Sequence, residues 1–516
     1  MPTSCVRQGT CKECLVEVTE GMEHLTPRGP EERHLPEAFR LACRARIAAE
    51  SGVVRCHTMR RGAMRVERRA FRLPPRPEWT APDPCVTRDG PHVLLDGAPI
   101  ARADGPLHGL ALDIGTTTVV VRLFDLGTGE LVADASFENP QRFGGSDVIA
   151  RIHYDTHHPG KLLQRTLAGY LAHALTGFGV HPRTVYEVVV AGNSTMRDLF
   201  FRLDVRSIGQ SPYRSLTERG RDAGRRTGTA LTATALRLRV PVHPRARVYG
   251  LPIVSGHVGA DAAACMLAVD LAHEERPVAL MDLGTNTELV VGNRHRILAA
   301  SCPAGPAFEG GRIADGMPAL PGAIERVRIE DDGSVRTTVV GGGPAQGICG
   351  SGLVDALAEL RRTGRLDELG RFADGGAELV LASEDGRRIA LHERDISELA
   401  QAKGANVAGL RIVFARYGIR FEDVAVFYLA GGFGSAVDLG AARRIGLVPD
   451  LDDARIVQVG NAAIEGASLA LLSRTRRAEL EALVERVEHC RLETDPDFFD
   501  HFADGCRFRP LAVGGP

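Results

Sequence analysis

The sequence predicts an α/β protein of two related halves, preceded by a small cysteine-rich domain. Three observations carry that prediction. From Leu107 onward, apolar β-branched runs alternate with amphipathic stretches of helical period. Within this region an Asp-x-Gly-Thr turn between two apolar strands occurs twice. Ahead of it, four cysteines fall within the first 43 residues.

Length and composition bound the rest. The chain of 516 residues is long enough for about three domains of ordinary size. Its apolar fraction of 44% and charged fraction of 25% are those of a soluble globular protein. No apolar run approaches the roughly 20 residues of a membrane span. Met1-Pro2-Thr3-Ser4-Cys5 lacks the basic start and apolar core of a secretory signal, so a cytoplasmic protein with no membrane partner is expected. The net charge of −2 gives no sign of a nucleic-acid partner. Charge is uneven, however: residues 1–76 hold fifteen Lys/Arg against nine Asp/Glu, with a basic run from Arg60 to Arg76. That run reads as a solvated linker, with a docking surface for an acidic partner as the other reading.

Composition divides the chain into four parts. Residues 1–66 form the cysteine- and charge-rich domain, and 67–106 a Pro/Arg-rich linker. The two halves are expected at 107–247 and 248–516. Their signature is Leu110-Ala-Leu-Asp-Ile-Gly-Thr-Thr-Thr-Val-Val-Val121, echoed 169 residues later by Ala279-Leu-Met-Asp-Leu-Gly-Thr-Asn-Thr-Glu-Leu-Val-Val291. Such a repeat suggests two halves facing each other across a cleft. Helices are expected at Gly352–Arg362, Ile396–Tyr417 and Ala462–Ser473.

The first cysteines are spaced Cys5-x5-Cys11-x2-Cys14, with Cys43 after 28 more residues. Three thiolates on one tight loop and a fourth at a distance suit a [2Fe–2S] cluster. A four-thiolate zinc site usually uses two Cys-x2-Cys knuckles, and only one is present. Unpaired cytosolic thiols are the remaining reading. An odd total of eleven cysteines argues against a disulfide framework. Cys56, Cys85, Cys265, Cys302, Cys349, Cys490 and Cys506 share no metal-ligand spacing and read mostly as small core residues.

The paired turns have a chemical logic. In Gly115-Thr116-Thr117 and Gly284-Thr285-Asn286 the glycine allows a tight turn and close approach of backbone N–H groups to phosphate oxygens. Asp113 and Asp282 would hold Mg²⁺, mostly through water. A third element, Val424 to Ser435, is an apolar strand ending in Gly431-Gly432-Phe433-Gly434, where missing side chains leave room for an adenosine. Glu309 and Asp147 lie in polar, glycine-containing segments and either orient water or Mg²⁺ or cap a helix. His153, His157 and His158 read as a solvated helix end.

The loop Cys5-Val-Arg-Gln-Gly-Thr-Cys-Lys-Glu-Cys-Leu-Val-Glu-Val18 resembles that of plant- and vertebrate-type ferredoxins. Such a domain opens with a hairpin and a helix before its first ligand; only four residues precede Cys5, so an N-terminally incomplete domain is expected. The two turns and the glycine strand together resemble the nucleotide site shared by acetate and sugar kinases, heat-shock chaperone ATPases and actin. More closely, several segments resemble the reductive activators of corrinoid-dependent methyltransferases. They are Asn139–Val148, Val190–Met196, Ser255–Asp261, Pro303–Gly310, Gly347–Leu353 and Val459–Ala463. The implied fold is two RNase H-like halves preceded by a β-grasp [2Fe–2S] domain.

The resemblance also implies a function. Such a chain would be a homodimer that takes an electron from a donor and passes it from its cluster to a corrinoid protein. Co(II) becomes Co(I), with ATP and Mg²⁺ driving the step. Asp113, Asp282 and Glu309 would be catalytic, with Gly350, Ser351 and Gly352 joining the two turns and the 431–434 strand end at the nucleotide. The linker's proline and arginine content suggests a mobile tether for the cluster. Two other functions compete on the same fold: a small-molecule kinase, and an iron–sulfur electron carrier or redox sensor with a regulatory ATP site.

Overall fold

The computed structural model describes residues 14–58, 70–74, 82–384, 387–432, 434 and 436–514. The expectations for Cys5, Cys11 and Phe433 fall outside them. Contacts divide the chain into two units. The first comprises Met1–Ala63, Arg76–Ala264 and Gly466–Glu485; the second comprises Met64–Pro75, Cys265–Glu465 and Arg486–Pro516.

The first unit is built on a six-stranded sheet. Its order is Leu231–Thr234, Arg247–Gly250, Val185–Gly192, His108–Ile114, Thr118–Asp125, Leu131–Glu138. The three inner strands of the parallel side, from Arg247–Gly250 to His108–Ile114, run together, and the remaining pairs are antiparallel. Val185–Gly192 is buried along all eight residues, as a strand covered on both faces must be. Leu112, Ile114, Val119, Val121 and Leu123 pack with Leu163, Leu167 and Leu171 of the helix Leu162–Gly177. The same core takes in Leu15, Leu35, Phe39 and Leu41. Leu15, Phe39 and Leu41 belong to a separate three-stranded antiparallel sheet ordered Phe39–Leu41, Leu15–Glu20, Arg55–Thr58, and Leu35 precedes its first-named strand. The cysteine-bearing sheet therefore shares the core of the first unit.

The second unit repeats this plan. Its sheet runs Ile456–Gly460, Phe427–Ala430, Val278–Leu283, Thr287–Gly292, Ile297–Cys302, Val487–His489. The Asp282 strand again has a parallel neighbour on one side and an antiparallel hairpin partner on the other. A 25-residue helix, Glu393–Tyr417, lies on the hairpin strands. At Gly409 a Cβ would stand 2.2 Å from Cys302 Sγ, so only glycine lets the helix come this close. The helices Gly350–Arg362 and Ala462–Leu472 match the expected ones closely.

Two boundaries differ from expectation. The expected break at 247 falls instead between Ala264 and Cys265, inside the helix Ala260–Ala268. Arg247–Gly250 pairs in parallel with Val185–Gly192 and so belongs to the first sheet. Residues 466–485 return to that unit, where Arg477 of the helix Arg474–Val484 meets the buried Glu187 at 2.9 Å. The expected linker also holds structure. Val86–Asp89, His92–Leu95 and Ala98–Arg102 form an antiparallel sheet with Val86, Val93 and Ile100 buried. Its turn residues Gly90 and Gly97 take positive φ, a hairpin signal outweighed in the sequence by the neighbouring prolines.

Candidate functional site

Asp113 is the penultimate residue of its strand, and the chain turns at once through Gly115, whose N–H donates to Thr118 O at 2.9 Å. The turn is gripped from behind. Asn139 donates its side-chain amide to Gly115 O at 2.7 Å and its backbone N–H to Thr117 O at 2.7 Å. The buried Arg151 donates to Thr116 O at 2.6 Å, and Asn193 donates to Thr116 Oγ1 at 3.1 Å. In a trans peptide the N–H points opposite to the C=O of its plane. Carbonyls held inward at Gly115 and Thr116 therefore turn the N–H groups of Thr116 and Thr117 the other way, the arrangement of an anion-binding nest.

The second turn has different support. Thr285 O accepts from Gly305 N at 2.9 Å, while its hydroxyl donates to Glu309 Oε2 at 2.5 Å. Cys265 Sγ donates to Asp282 Oδ2 at 3.4 Å. Glu309 closes the one-turn helix Ala307–Glu309, against which the helix Gly350–Arg362 packs. Thr285 and Glu309 are thus joined directly, while the Asp282 carboxylate is met by Cys265. Asp147 instead caps the helix Val148–His157, accepting from Ala150 N at 2.8 Å.

A backing glycine occurs in both units, and sequence reading found only one. Gly431 has φ +99°, and a Cβ there would lie 2.4 Å from Leu283 O and 2.9 Å from Asp282 Oδ1. Gly192 has φ +142°, and a Cβ there would lie 2.6 Å from Ile114 O. Gly192 ends, and Gly431 directly follows, the strand parallel to the aspartate strand, and each abuts the residue after that aspartate. The signal was present as Ala191-Gly192-Asn193 against Ala430-Gly431-Gly432. Gly434 sits against Ala430 O, and its own carbonyl accepts from Gln458 at 2.7 Å. Gly352 lies against Ile324 O, and Ser351 is buried with its hydroxyl 3.4 Å from Cys349 Sγ. Both have a packing role at the start of their helix.

Cys14 and Cys43 lie at one end of the small sheet. Ala42 N donates to Cys14 O at 2.8 Å, extending the Leu15–Leu41 pairing and placing Cys14 opposite the residue before Cys43. Both are buried. The adjoining backbone is fixed by Glu32, which accepts from Arg40 at 3.0 and 3.2 Å and from Leu41 N at 2.8 Å. Burial pushes the Glu32 carboxyl up, but these donors outweigh it and hold it below its ordinary range. Two buried thiols at the ends of paired strands fit thiolate ligation of an iron–sulfur cluster. Of the other cysteines, Cys85, Cys265, Cys302, Cys349 and Cys490 are buried, whereas Cys56 is exposed and Cys506 half-buried. Among the described residues no group of three or more His, Cys, Asp or Glu has metal-holding geometry. The rings of His153 and His157 lie 4.1 Å apart, tilted by 32°, along an exposed helix end.

Three known protein families match the chain in succession. Residues 1–48 match the 2Fe-2S iron-sulfur cluster binding domain. Residues 108–274 match the RACo middle region, and 276–512 the C-terminal domain of RACo, the ASKHA domain. The corrinoid activation enzyme RamQ of Eubacterium limosum is 32% identical over 437 residues, covering 79% of this chain and 72% of the relative. The [Co(II) methylated amine-specific corrinoid protein] reductase of Methanosarcina barkeri is 26% identical over 427 residues, covering 76% and 75%. A solved reductive activator for corrinoid, iron-sulfur protein superposes with a TM-score of 0.75 at 29% identity, over 98% of this chain and 93% of that one. No helix among the described residues is long and apolar enough to cross a membrane. With a relative of this identity matched over most of both chains, this chain belongs to the family of corrinoid-protein reductive activators.

Proposed function

We propose that this chain reactivates a corrinoid protein by ATP-dependent delivery of one electron, converting Co(II) to Co(I). The observation that carries the reading is that the first unit holds two kinds of chemistry together. Buried cysteines at the end of one sheet share a core with the strand that carries Asp113 and its N–H-presenting turn. A small-molecule kinase on this fold has no use for the first feature, and a simple electron carrier has none for the second.

Cys14 and Cys43, with Cys5 and Cys11, are the thiols that would hold a [2Fe–2S] cluster. Such a group supplies a one-electron carrier. Asp113 and Asp282 are the hard oxygen donors that would hold Mg²⁺, which neutralises phosphate charge. The Gly115–Thr117 and Gly284–Asn286 turns offer backbone and hydroxyl donors to phosphate oxygens, and Glu309 is oriented by Thr285 to act on water or Mg²⁺. Gly431, Gly432 and Gly434 leave space for the adenosine, with Phe433, Gly350, Ser351 and Gly352 assigned to the same site by the family resemblance. Phosphoryl transfer then rests on positioning and charge neutralisation rather than covalent chemistry. A separate electron donor, a homodimeric state and a cytoplasmic location belong to the same reading.

The test combines purified protein, a reductant and a Co(II) corrinoid protein, and follows Co(I) absorbance with and without Mg-ATP. Co(I) that accumulates only with ATP supports the proposal. ATP use stimulated by a small acceptor, and indifferent to the corrinoid protein, favours the kinase.

A further inference from the structure

One segment of the first unit, residues 138–154, touches both the Asp113 turn and the cysteine-bearing sheet. Two arms make the connection. In the first, Asn139 grips Gly115 O and Thr117 O, each at 2.7 Å, and starts the short helix Pro140–Gly144 by accepting from Gln141 N. Arg142 within that helix donates to Glu138 at 2.7 Å and to Glu17 at 3.5 Å. Glu17 lies on the strand Leu15–Glu20, three residues after Cys14.

The second arm is a single helical turn. Arg151 donates to Thr116 O at 2.6 Å and to Gly145 O at 3.0 Å. Tyr154, three residues on and so on the same helix face, donates its hydroxyl to His34 O at 3.0 Å. Phe143 joins the arms, its ring edge-on to Tyr154 at 5.3 Å. His34 follows Glu32, which holds Leu41 N two residues before Cys43. Thr116 O is therefore joined through one side chain, one helical turn and one hydroxyl to the segment that leads to Cys43.

We infer that residues 138–154 form a relay through which the state of the Gly115–Thr117 turn sets how the cysteine-bearing sheet is seated, with Arg142 and Tyr154 as positioning residues. The inference rests on the proposal that this turn receives nucleotide phosphates. Phosphate oxygens drawing on the outward N–H groups tighten the turn, and the carbonyls of the same peptides pull on Asn139 and Arg151. By linkage, loosening the seat weakens nucleotide binding by the same factor by which nucleotide firms the seat. Both Arg142 and Tyr154 act on the sheet and not on the nucleotide, so their loss leaves the turn's own contacts intact.

The experiment uses the full chain with its cluster reconstituted. Backbone amide exchange is followed at residues 34–41, with and without a non-hydrolysable Mg-ATP analogue, alongside a calorimetric Kd for the analogue. Wild type is expected to show exchange at 34–41 slowed about 5-fold by the analogue, the scale of one net hydrogen bond. Tyr154→Phe and Arg142→Gln are each expected to abolish most of that response and to weaken analogue binding by a similar factor. Exchange in the strand Val185–Gly192 should stay unchanged in both, and Arg142→Lys should restore part of the response. Tight analogue binding with no change at 34–41 in wild type overturns the relay and leaves the proposed function standing. Equal responses in wild type and both variants overturn it too. Absence of any analogue binding overturns the relay together with the nucleotide assignment.

Discussion

The hydroxyl of Thr285 donates to Glu309 Oε2 at 2.5 Å and ties the turn after Asp282 to a segment 24 residues further along the chain. Glu309 is thereby oriented by the loop it would serve. Replacing Glu309 by Gln keeps an acceptor for Thr285 but removes the charge. The expected result is a lower kcat for ATP hydrolysis with little change in KM. Asp113→Ala and Asp282→Ala should each lose about 100-fold or more in turnover with the fold intact, the scale of removing a preorganised electrostatic contact. Steady-state ATPase rates beside circular dichroism check both. Unchanged hydrolysis in the two aspartate variants would place the site elsewhere.

The paired glycines offer a second test. Gly192→Ala and Gly431→Ala each put a methyl group inside contact distance of a carbonyl, 2.6 and 2.4 Å away, at a positive φ. Each is expected to destabilise the protein by about 1–3 kcal/mol and to weaken nucleotide binding by displacing its aspartate turn. Gly177→Ala is the control, since its Cβ would meet nothing within 4 Å and its φ is ordinary. Thermal melts and nucleotide Kd values for the three variants decide the matter. A harmless Gly431→Ala would mean the Asp282 turn is not held from this side.

Cluster ligation is tested by analysis of iron and acid-labile sulfide. Reconstituted wild type is expected to carry about two of each per chain, the content of a [2Fe–2S] centre. Cys14→Ser and Cys43→Ser should lose most of both, while Cys56→Ser, at an exposed position, should lose neither. Stoichiometric zinc without sulfide would rule the assignment out.

The Glu32–Arg40 pair gives the seat of Cys43 a pH dependence. Its folded-state pKa lies below the ordinary 4.5, so the pair's stabilisation is fully present above that value. It is lost as pH falls from about 4.5 through the folded pKa, where the native carboxylate must take up a proton. Glu32→Gln strands the buried Arg40 without its partner, an effect of about 3–5 kcal/mol at neutral pH. Melting curves of the two proteins should converge as pH drops below about 4. Parallel curves down to pH 3 would show that the pair contributes nothing specific.

Local chemistry was legible in the sequence wherever neighbours in the chain do the work. The Asp-x-Gly-Thr turns at 113 and 282, the helices at 350–362, 393–417 and 462–472 and the Cys5–Cys14 loop all announce themselves in continuous stretches of chain, because strand period, helix period and turn glycines are local properties. The hairpins at 86–102 were equally local but were hidden by the prolines around them. What the sequence determined, then, is the kind of group each segment offers: thiols, carboxylates and tight N–H-bearing turns. Only the tertiary structure decided who holds whom. Nothing in the chain order says that Gly192 backs Ile114 O, that Glu309 meets Thr285, that residues 466–485 return to the first unit, or that Tyr154 reaches His34. Those pairings are set by sheet order and by the burial of side chains far apart in sequence, and a long-range contact leaves no periodic trace in either partner.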